Sequence, residues 1–255
     1  MRTILLTVEY DGTAYSGWQV QPNGIGIQQL LEEALARMLG EPVRVTSSGR
    51  TDAGVHAAGM AACFRTEKGL PLRAFSDGLN TLLPPDIAVR DAVEAPPGFN
   101  PRRDAVSKHY RYTILNAPRR SPLLRTRVWH VREPLDLDAM RQAASLLAGE
   151  HDFAAFRAAN CGAKTTRRRL FSLDVRREGE LVVIDVRGSG FLKNMVRIIA
   201  GTLVAVGQGR RSANDIPNLL ASGNRADAGT TAPPQGLCLM EVVYGHPRPA
   251  GDGEG

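Results

Sequence analysis

The side chains best suited to chemistry lie in one short polar stretch, SSGRTDAGVHAAGM, at residues 47–60. It carries Arg50, Asp52 and His56 within seven positions and almost no bulky side chain. An ionised aspartate can act as a nucleophile or as a general base. Aspartate near glycine is also common in turns, because Asp hydrogen-bonds its own backbone and Gly tolerates positive φ. The stretch alone leaves both interpretations of Asp52 open.

Two common binding motifs do not fit this stretch. Its glycines are not followed by the GK[ST] of a phosphate-binding loop. His56 has no second histidine at helical spacing and no cysteine beside it, so we expect no metal site here.

Arg197 is a second candidate, because it lies in the middle of an almost wholly apolar helix predicted over residues 192–206. A guanidinium buried there needs an anionic partner, since a buried charge without one is costly. Its head can instead extend to solvent along its aliphatic stem. Both outcomes are compatible with the sequence.

The first hundred residues show the element order β-α-β-β-α-β. The predicted strands are 3–10, 43–48, 59–66 and 87–94, and the predicted helices are 27–38 and 72–83. This is the split βαβ order of ferredoxin-like folds.

The same order repeats in the second half of the chain. Strands are predicted at 108–115, 170–177, 181–188 and 237–244, and helices at 137–147 and 192–206, with a short extra helix near 215–221. We therefore predict an α+β fold in which two ferredoxin-like halves form a mixed, mainly antiparallel sheet flanked by helices. The predicted division is an N-terminal half at 1–105, a C-terminal half at 106–246 and a disordered tail at 247–255.

The charge of the chain favours a polyanionic partner. The formal net charge is +6, and only four of the 32 basic residues are lysines. The guanidinium group suits phosphate, because its planar fork donates two parallel hydrogen bonds. Arginine clusters lie mostly beyond residue 100, which favours a nucleic acid over random scatter, although a GC-rich genome would also raise the arginine content.

The remaining composition excludes several classes of protein. No apolar run approaches the length of a membrane span, and the first residues do not read as a secretory signal. The three cysteines show no CxxC spacing, so neither a disulfide framework nor a zinc site is expected. These features predict a soluble, cytoplasmic protein without a membrane partner.

Six stretches together resemble a known family. GRTDAGVHA is similar to the active-site motif of the tRNA pseudouridine synthase A family. The similarity continues, in the order and at spacings similar to those of the family, through EYDGTAYSGWQVQ (9–21), SKHYRYTILN (107–116), GEHDFAAFR (149–157), GFLKNMVRIIAG (190–201) and GLCL (236–239).

The resemblance implies an enzyme that needs no metal and no small-molecule cofactor. Members isomerise uridine to pseudouridine at nucleotides 38, 39 and 40 of the tRNA anticodon stem-loop, and they act as homodimers. By resemblance, Asp52 is the catalytic nucleophile and Tyr110 is the active-site tyrosine. Arg197 is then the arginine that pairs with the aspartate, and Leu237 forms an apolar wall. Arg50 falls at a position associated with opening the stem and holding the target.

Two places depart from the family pattern. Asn100-Pro101-Arg102 stands where many members carry His-Ala-Arg, and Lys193-Asn194 stands where other polar pairs are usual. Both departures bear on RNA contacts rather than on the predicted chemical residues.

The sequence leaves the course of the reaction open. Asp52 can attack the sugar or the base, or it can help form a glycal by removing a sugar proton. Tyr110 is the candidate for removing the C5 proton, although Tyr112 points the same way along a strand. A passive RNA-binding module is one rival, but the chain lacks the aromatic RNP1 pattern. A nucleoside glycosidase that uses Asp52 is another rival, and it would release free base.

Overall fold

The computed structural model describes residues 1–245, so the predicted tail at 247–255 lies outside the described residues. The chain forms two compact units. The first contains residues 1–106 together with the residues from Leu239 onward, and the second contains Ser107–Cys238. The first unit is therefore discontinuous in sequence, whereas the sequence-based division assigned residues 106–246 to a C-terminal half.

The first unit is a split βαβ arrangement. Its elements are β1 (Arg2–Tyr10), α1 (Ile27–Leu39), β2 (Thr46–Ser47), β3 (His56–Thr66) and β4 (Ile87–Ala95). β1 lies between β4 and β3 and is antiparallel to both, and β2 pairs with β3. This order places the first predicted strand in the centre of the sheet, as the ferredoxin-like pattern requires.

Helix α1 forms because its apolar residues recur at helical spacing. Ile27, Leu31 and Leu35 are fully buried on one face. The helix ends at Gly40, whose φ of 76° is the left-handed conformation that closes many helices. The second predicted helix of this unit contains a π-helical turn at Ala74–Gly78.

The second unit contains most of the remaining elements. They are β5 (Ala105–Asn116), β6 (Trp129–Val131), α2 (Leu137–Leu147), β7 (Gly149–Asp152), β8 (Arg167–Glu178), β9 (Leu181–Gly188), α3 (Met195–Gly207) and α4 (Ile216–Ser222), and the last strand of the chain is β10 (Leu237–Tyr244). Strands β5, β9, β8 and β7 lie side by side in that order, and β6 pairs in parallel with the end of β5. β10 begins in this unit and continues into the first, where it lies beside β3.

The α+β prediction is confirmed, with mainly antiparallel strands flanked by helices. Helix α2 and strand β10 have the predicted bounds. β2 is much shorter than predicted, and β6 and β7 were not predicted at all. Among residues 1–245, no helix combines the length and the hydropathy needed to cross a bilayer.

Candidate active site

Asp52 lies in the loop that joins β2 to β3. Thr51 beside it is buried, and Asp52 itself is half-buried. The backbone N–H of Val55 donates to the Asp52 carbonyl at 3.1 Å, so the residue does occupy a turn. The turn interpretation and the reagent interpretation are therefore compatible, because the turn uses the backbone carbonyl and not the carboxylate.

The chain after β1 holds this loop from the side. The hydroxyl of Tyr10 shares a hydrogen bond with Thr51 Oγ1 at 2.7 Å. The N–H of Trp18 donates to the Thr51 carbonyl at 3.1 Å, and the N–H of Gly54 donates to the Tyr15 carbonyl at 3.4 Å. Side-chain and backbone bonds thus join the EYDGTAYSGWQVQ and GRTDAGVHA stretches within one unit.

Two glycines let the backbones approach. A Cβ at Gly12 would lie 2.0 Å from the Val55 carbonyl oxygen. A Cβ at Gly17 would lie 2.6 Å from the Thr51 carbonyl oxygen, and Gly17 has a φ of +96° that other residues rarely adopt. Both positions require glycine for physical reasons, so the loop that carries Asp52 has little room to shift toward this segment.

Tyr15 and Asp86 brace the same segment. The Tyr15 hydroxyl donates to Asp86 Oδ1 at 2.5 Å, and the N–H of Asp11 donates to the Asp86 carbonyl at 2.9 Å. Burial raises the pKa of Tyr15 well above its usual range, and the bond to Asp86 raises it further. The Tyr15 hydroxyl therefore stays protonated and remains a donor. Sequence reasoning missed this pair, since its members lie 71 residues apart.

His56, the third polar residue of the opening stretch, is buried at the start of β3. Its Nδ1 accepts the N–H of Gly12 at 3.0 Å, with Asp11 Oδ1 at 3.1 Å. These contacts tie His56 to the segment that braces the loop. Within residues 1–245, no group of three or more His, Cys, Asp or Glu side chains could hold a metal ion.

The two tyrosines of β5 differ in their surroundings. Tyr110 is buried edge-on against Phe191, with ring centroids 5.1 Å apart. Tyr112 is fully buried, and its hydroxyl donates to the Pro233 carbonyl at 2.7 Å. Burial raises the pKa of Tyr112, and the charge of Arg197 only partly opposes the shift. Tyr112 is thus held as a structural donor, a distinction that strand alternation could not reveal.

Arg197 lies in the first turn of α3 and is half-buried. Its Nε donates to the Ala232 carbonyl at 2.7 Å, and its Nη1 donates to Asn194 Oδ1 at 3.2 Å. Two neutral oxygens therefore orient the guanidinium. Asn194, one of the departures from the family pattern, has a left-handed backbone (φ 60°) that starts the helix. The sequence marked Asn194 as a departure, and the structure gives it a second role as a hydrogen-bond partner of Arg197.

The other departure, Asn100, has a local structural role. Its Oδ1 accepts the N–H groups of Arg102 and Arg103, both at 3.0 Å, and its own N–H donates to Asp104 Oδ2 at 2.8 Å. The asparagine thereby closes a turn that histidine would close less readily, because Asn accepts from the backbone in such turns.

The predicted site residues divide between the two units. Arg50 and Asp52 lie two positions apart on the same loop of the first unit, with Arg50 exposed. Tyr110, Arg197 and Leu237 belong to the second unit, and Leu237 is buried at the first position of β10.

Comparison with known proteins identifies the family. The family model described as tRNA pseudouridine synthase matches residues 6–102 and 143–245. The tRNA pseudouridine synthase A of Geotalea uraniireducens (strain Rf4) is 71% identical over 244 residues, which cover 96% of this chain and 100% of that protein. The corresponding protein of Myxococcus xanthus is 55% identical over 251 residues, which cover 98% and 95%.

Among solved structures, a chain of the archaeal box H/ACA sRNP Nop10–Cbf5 complex aligns with 79% of this chain and 44% of its own length, at 12% identity and a TM-score of 0.36. The family assignment rests on the family model and the sequence identities, which extend over nearly the full chain. Pseudouridine synthases are isomerases that convert uridine in RNA to pseudouridine. The chain belongs to the tRNA pseudouridine synthase A family.

Proposed function

We propose that the protein isomerises uridine to pseudouridine at nucleotides 38, 39 and 40 of the tRNA anticodon stem-loop, with Asp52 as the nucleophile. The observation that carries this proposal is the fixed loop of Asp52. Backbone and side-chain bonds from the segment between Tyr10 and Trp18 hold its neighbours, while its carboxylate takes no part in the turn bond. A reacting group must be positioned before the substrate arrives, because misplacement by about 1 Å can cost about a hundredfold in rate.

The reaction breaks the bond between N1 of the base and C1′ of the sugar and remakes the bond from C5. Product and substrate contain the same atoms, so no energy source is needed. An ionised Asp52 attacks C1′ of the sugar while the bond to N1 breaks and the uracil leaves with the electron pair, or it adds to the base, or it removes a sugar proton so that the uracil leaves and a glycal forms. Each route requires the carboxylate form. The proton left on C5 must then be removed, and Tyr110 is the residue that we assign to this step.

Three further residues have supporting roles in this proposal. Arg197 is the proposed partner of the Asp52 carboxylate, because a guanidinium can hold a carboxylate through paired hydrogen bonds. Leu237 supplies an apolar wall for the uracil ring, and Arg50 takes the place of the extruded nucleotide. Extrusion costs a few kcal/mol and is least costly where base pairing is weak.

We also propose that the enzyme works as a homodimer, on the basis of the family resemblance. A cytoplasmic location is proposed because the three cysteines form no disulfide in the structure. Sedimentation at micromolar concentration measures the assembly state directly. A monomer at the concentration of full activity contradicts this part of the proposal and leaves the assignment of Asp52 unaffected.

The central experiment uses unmodified tRNA labelled with tritium at C5 of uridine. Wild-type protein should release label, and Asp52→Asn should bind the RNA and release none. Asp77→Asn is the matched control, because this carboxylate is exposed in the π-helical turn and its loss should leave release unchanged.

Substrates with a single uridine at 38, 39 or 40 test the proposed positions, and a uridine elsewhere in the same tRNA should stay unmodified. Free uracil among the products would indicate a glycosidase instead. Binding without label release by the wild type would indicate a passive RNA-binding protein. Normal release by Asp52→Asn would remove this residue from the mechanism.

A further inference from the structure

One loop of the second unit is held at both ends by hydrogen bonds. It covers residues 118–127, between β5 and β6, and we call it the arginine loop. Asn116 pins its base, because the side-chain amide donates to the carbonyls of Val131 at 3.1 Å and Glu133 at 2.8 Å. His130 Nε2 donates to the Ala117 carbonyl at 2.8 Å. Both ends of the loop are therefore clamped at one place.

The loop is also supported from beneath. Leu124 packs against a small cluster of buried apolar residues formed by Leu115, Ala117 and Val128. The Leu124 carbonyl accepts the N–H groups of Arg127 at 2.9 Å and Val128 at 3.2 Å. This packing and these hydrogen bonds hold the loop in one conformation. A loop with all of its side chains in solvent would lack that restraint.

The outer surface of the arginine loop is basic and carries one exposed apolar side chain. Four arginines lie within ten residues, Arg119, Arg120, Arg125 and Arg127, and there is no acidic residue among them. Leu123, adjacent to the packed Leu124, is 90% exposed. A large aliphatic side chain at full exposure beside concentrated positive charge suits a partner that offers phosphates next to an apolar surface.

We propose that the arginine loop binds the RNA backbone, with the guanidiniums of Arg119, Arg120 and Arg125 on phosphates and Leu123 against the sugar edge of a groove. This inference rests on the proposed function, because it assigns a second contact surface for the same RNA. A second copy of the chain is the less favourable occupant, since a two-fold contact would bring four arginines against four arginines. Arginine is the side chain best matched to phosphate, through paired hydrogen bonds.

The arginine loop is separate from the residues assigned to chemistry. It begins beyond the C-terminal end of β5, while Tyr110 lies six residues before that end. Six residues of strand span about 20 Å. The loop therefore contributes to RNA binding and does not contact the reacting atoms. Removing its positive charges should raise Kd and KM for tRNA and leave kcat unchanged.

The test compares two triple variants of equal charge. Arg119→Gln, Arg120→Gln and Arg125→Gln remove three charges from the arginine loop. Arg37→Gln, Arg65→Gln and Arg73→Gln remove three exposed charges from the first unit. The Kd for unmodified tRNA is measured between 50 and 300 mM salt, because each lost phosphate contact lowers the slope of log K against log salt by about 0.7–0.9.

The loop variant should bind at least tenfold more weakly than wild type, with a slope smaller by about 2–3 and the same kcat at saturating tRNA. The control variant should keep most of the wild-type slope. Leu123→Ala should weaken binding severalfold and leave the slope unchanged, because it removes no charge.

A loop variant with the wild-type salt slope would overturn the proposal, and so would an equal loss of tRNA affinity in the two triple variants. A change in the assembly state of the loop variant on sedimentation would also overturn it, because the loop would then be a contact between two copies of the chain. Failure of the proposed function would give a different result from failure of this inference. In that case wild-type protein would bind tRNA with a steep salt dependence that the loop variant loses, but it would release no tritium.

Discussion

At the scale of single residues, neighbours of one chemical type carry different functions because their partners differ. Tyr110 and Tyr112 lie on the same side of β5, and the hydroxyl of Tyr112 donates to the Pro233 carbonyl. Its raised pKa keeps it protonated, so it is unsuited to accept a proton. Tyr110 packs edge-to-face with Phe191 and is the tyrosine that we propose for the reaction.

The two tyrosines should respond in opposite ways to loss of the hydroxyl. We expect Tyr110→Phe to keep a native fold and to lose tritium release. Tyr112→Phe should keep kcat and lose about 1 kcal/mol of unfolding free energy, because the half-buried hydrogen bond to the Pro233 carbonyl is lost. Urea unfolding and single-turnover release measure the two effects. Equal behaviour of the two variants would contradict the assignment.

Asp185 shows the same principle for a carboxylate outside the proposed site. Burial alone would raise the pKa of Asp185, but hydrogen bonds from Arg111, Arg176 and His109 outweigh burial and hold the pKa at about 2. The folded value is below the unfolded value of 3.8, so the charged form stabilises the fold above pH 4 and the benefit disappears as the pH falls toward 2.

Asp185→Asn should therefore lower the unfolding free energy at neutral pH. A shift of nearly two pKa units corresponds to about 2 kcal/mol. The difference between wild type and variant should be constant from pH 7 to about pH 5 and should fall to about half by pH 3. Urea titrations at each pH give this difference. A difference that grows on acidification would show that the three hydrogen-bond partners do not act through the ionised carboxylate.

At the scale of elements, the sequence predicts those helices and strands that are long enough to show a regular spacing of apolar residues. Helices α1 and α2 and strand β10 follow from apolar periodicity, and their ends from caps such as Gly40. Strands β6 and β7 have three and four residues, which is too short for a period to show. The candidate aspartate was found from its motif, whereas the Tyr15–Asp86 brace joins distant positions and has no local signal.

The segment between Tyr10 and Trp18 requires glycine at position 12, and this requirement can be tested. An alanine at position 12 would place its Cβ 2.0 Å from the Val55 carbonyl oxygen, and Val55 in turn bonds to the Asp52 carbonyl. We expect Gly12→Ala to displace the Asp52 loop and to lower kcat by about a hundredfold at saturating tRNA.

The matched control is Gly69→Ala, where an added Cβ would meet nothing within 4 Å. Circular dichroism should show a native fold for both variants. Gly17→Ala offers a second disturbance of the same loop, through the Thr51 carbonyl. Full turnover by a folded Gly12→Ala protein would mean that the close approach is not needed to position Asp52.

At the scale of the whole molecule, each unit has its own core, but the first unit is not a continuous stretch of chain. Residues from Leu239 onward return to it, and β10 there lies beside β3. At Gly59 the backbones are so close that a Cβ would lie 2.6 Å from the Met240 carbonyl oxygen. The last strand is therefore part of the N-terminal fold.

A fragment of residues 1–106 should consequently fold poorly, because part of β3 would be an unpaired edge with apolar side chains, which favours aggregation. Joining it to residues 239–245 should restore a monomeric fold with strand content. The added strand is about 20 Å long, so a Gly/Ser linker of about 12 residues has sufficient reach. The control carries the same linker and a scrambled final segment. Circular dichroism and sedimentation compare the three chains, and a monomeric, exchange-protected fragment 1–106 would show that β10 is dispensable for this unit.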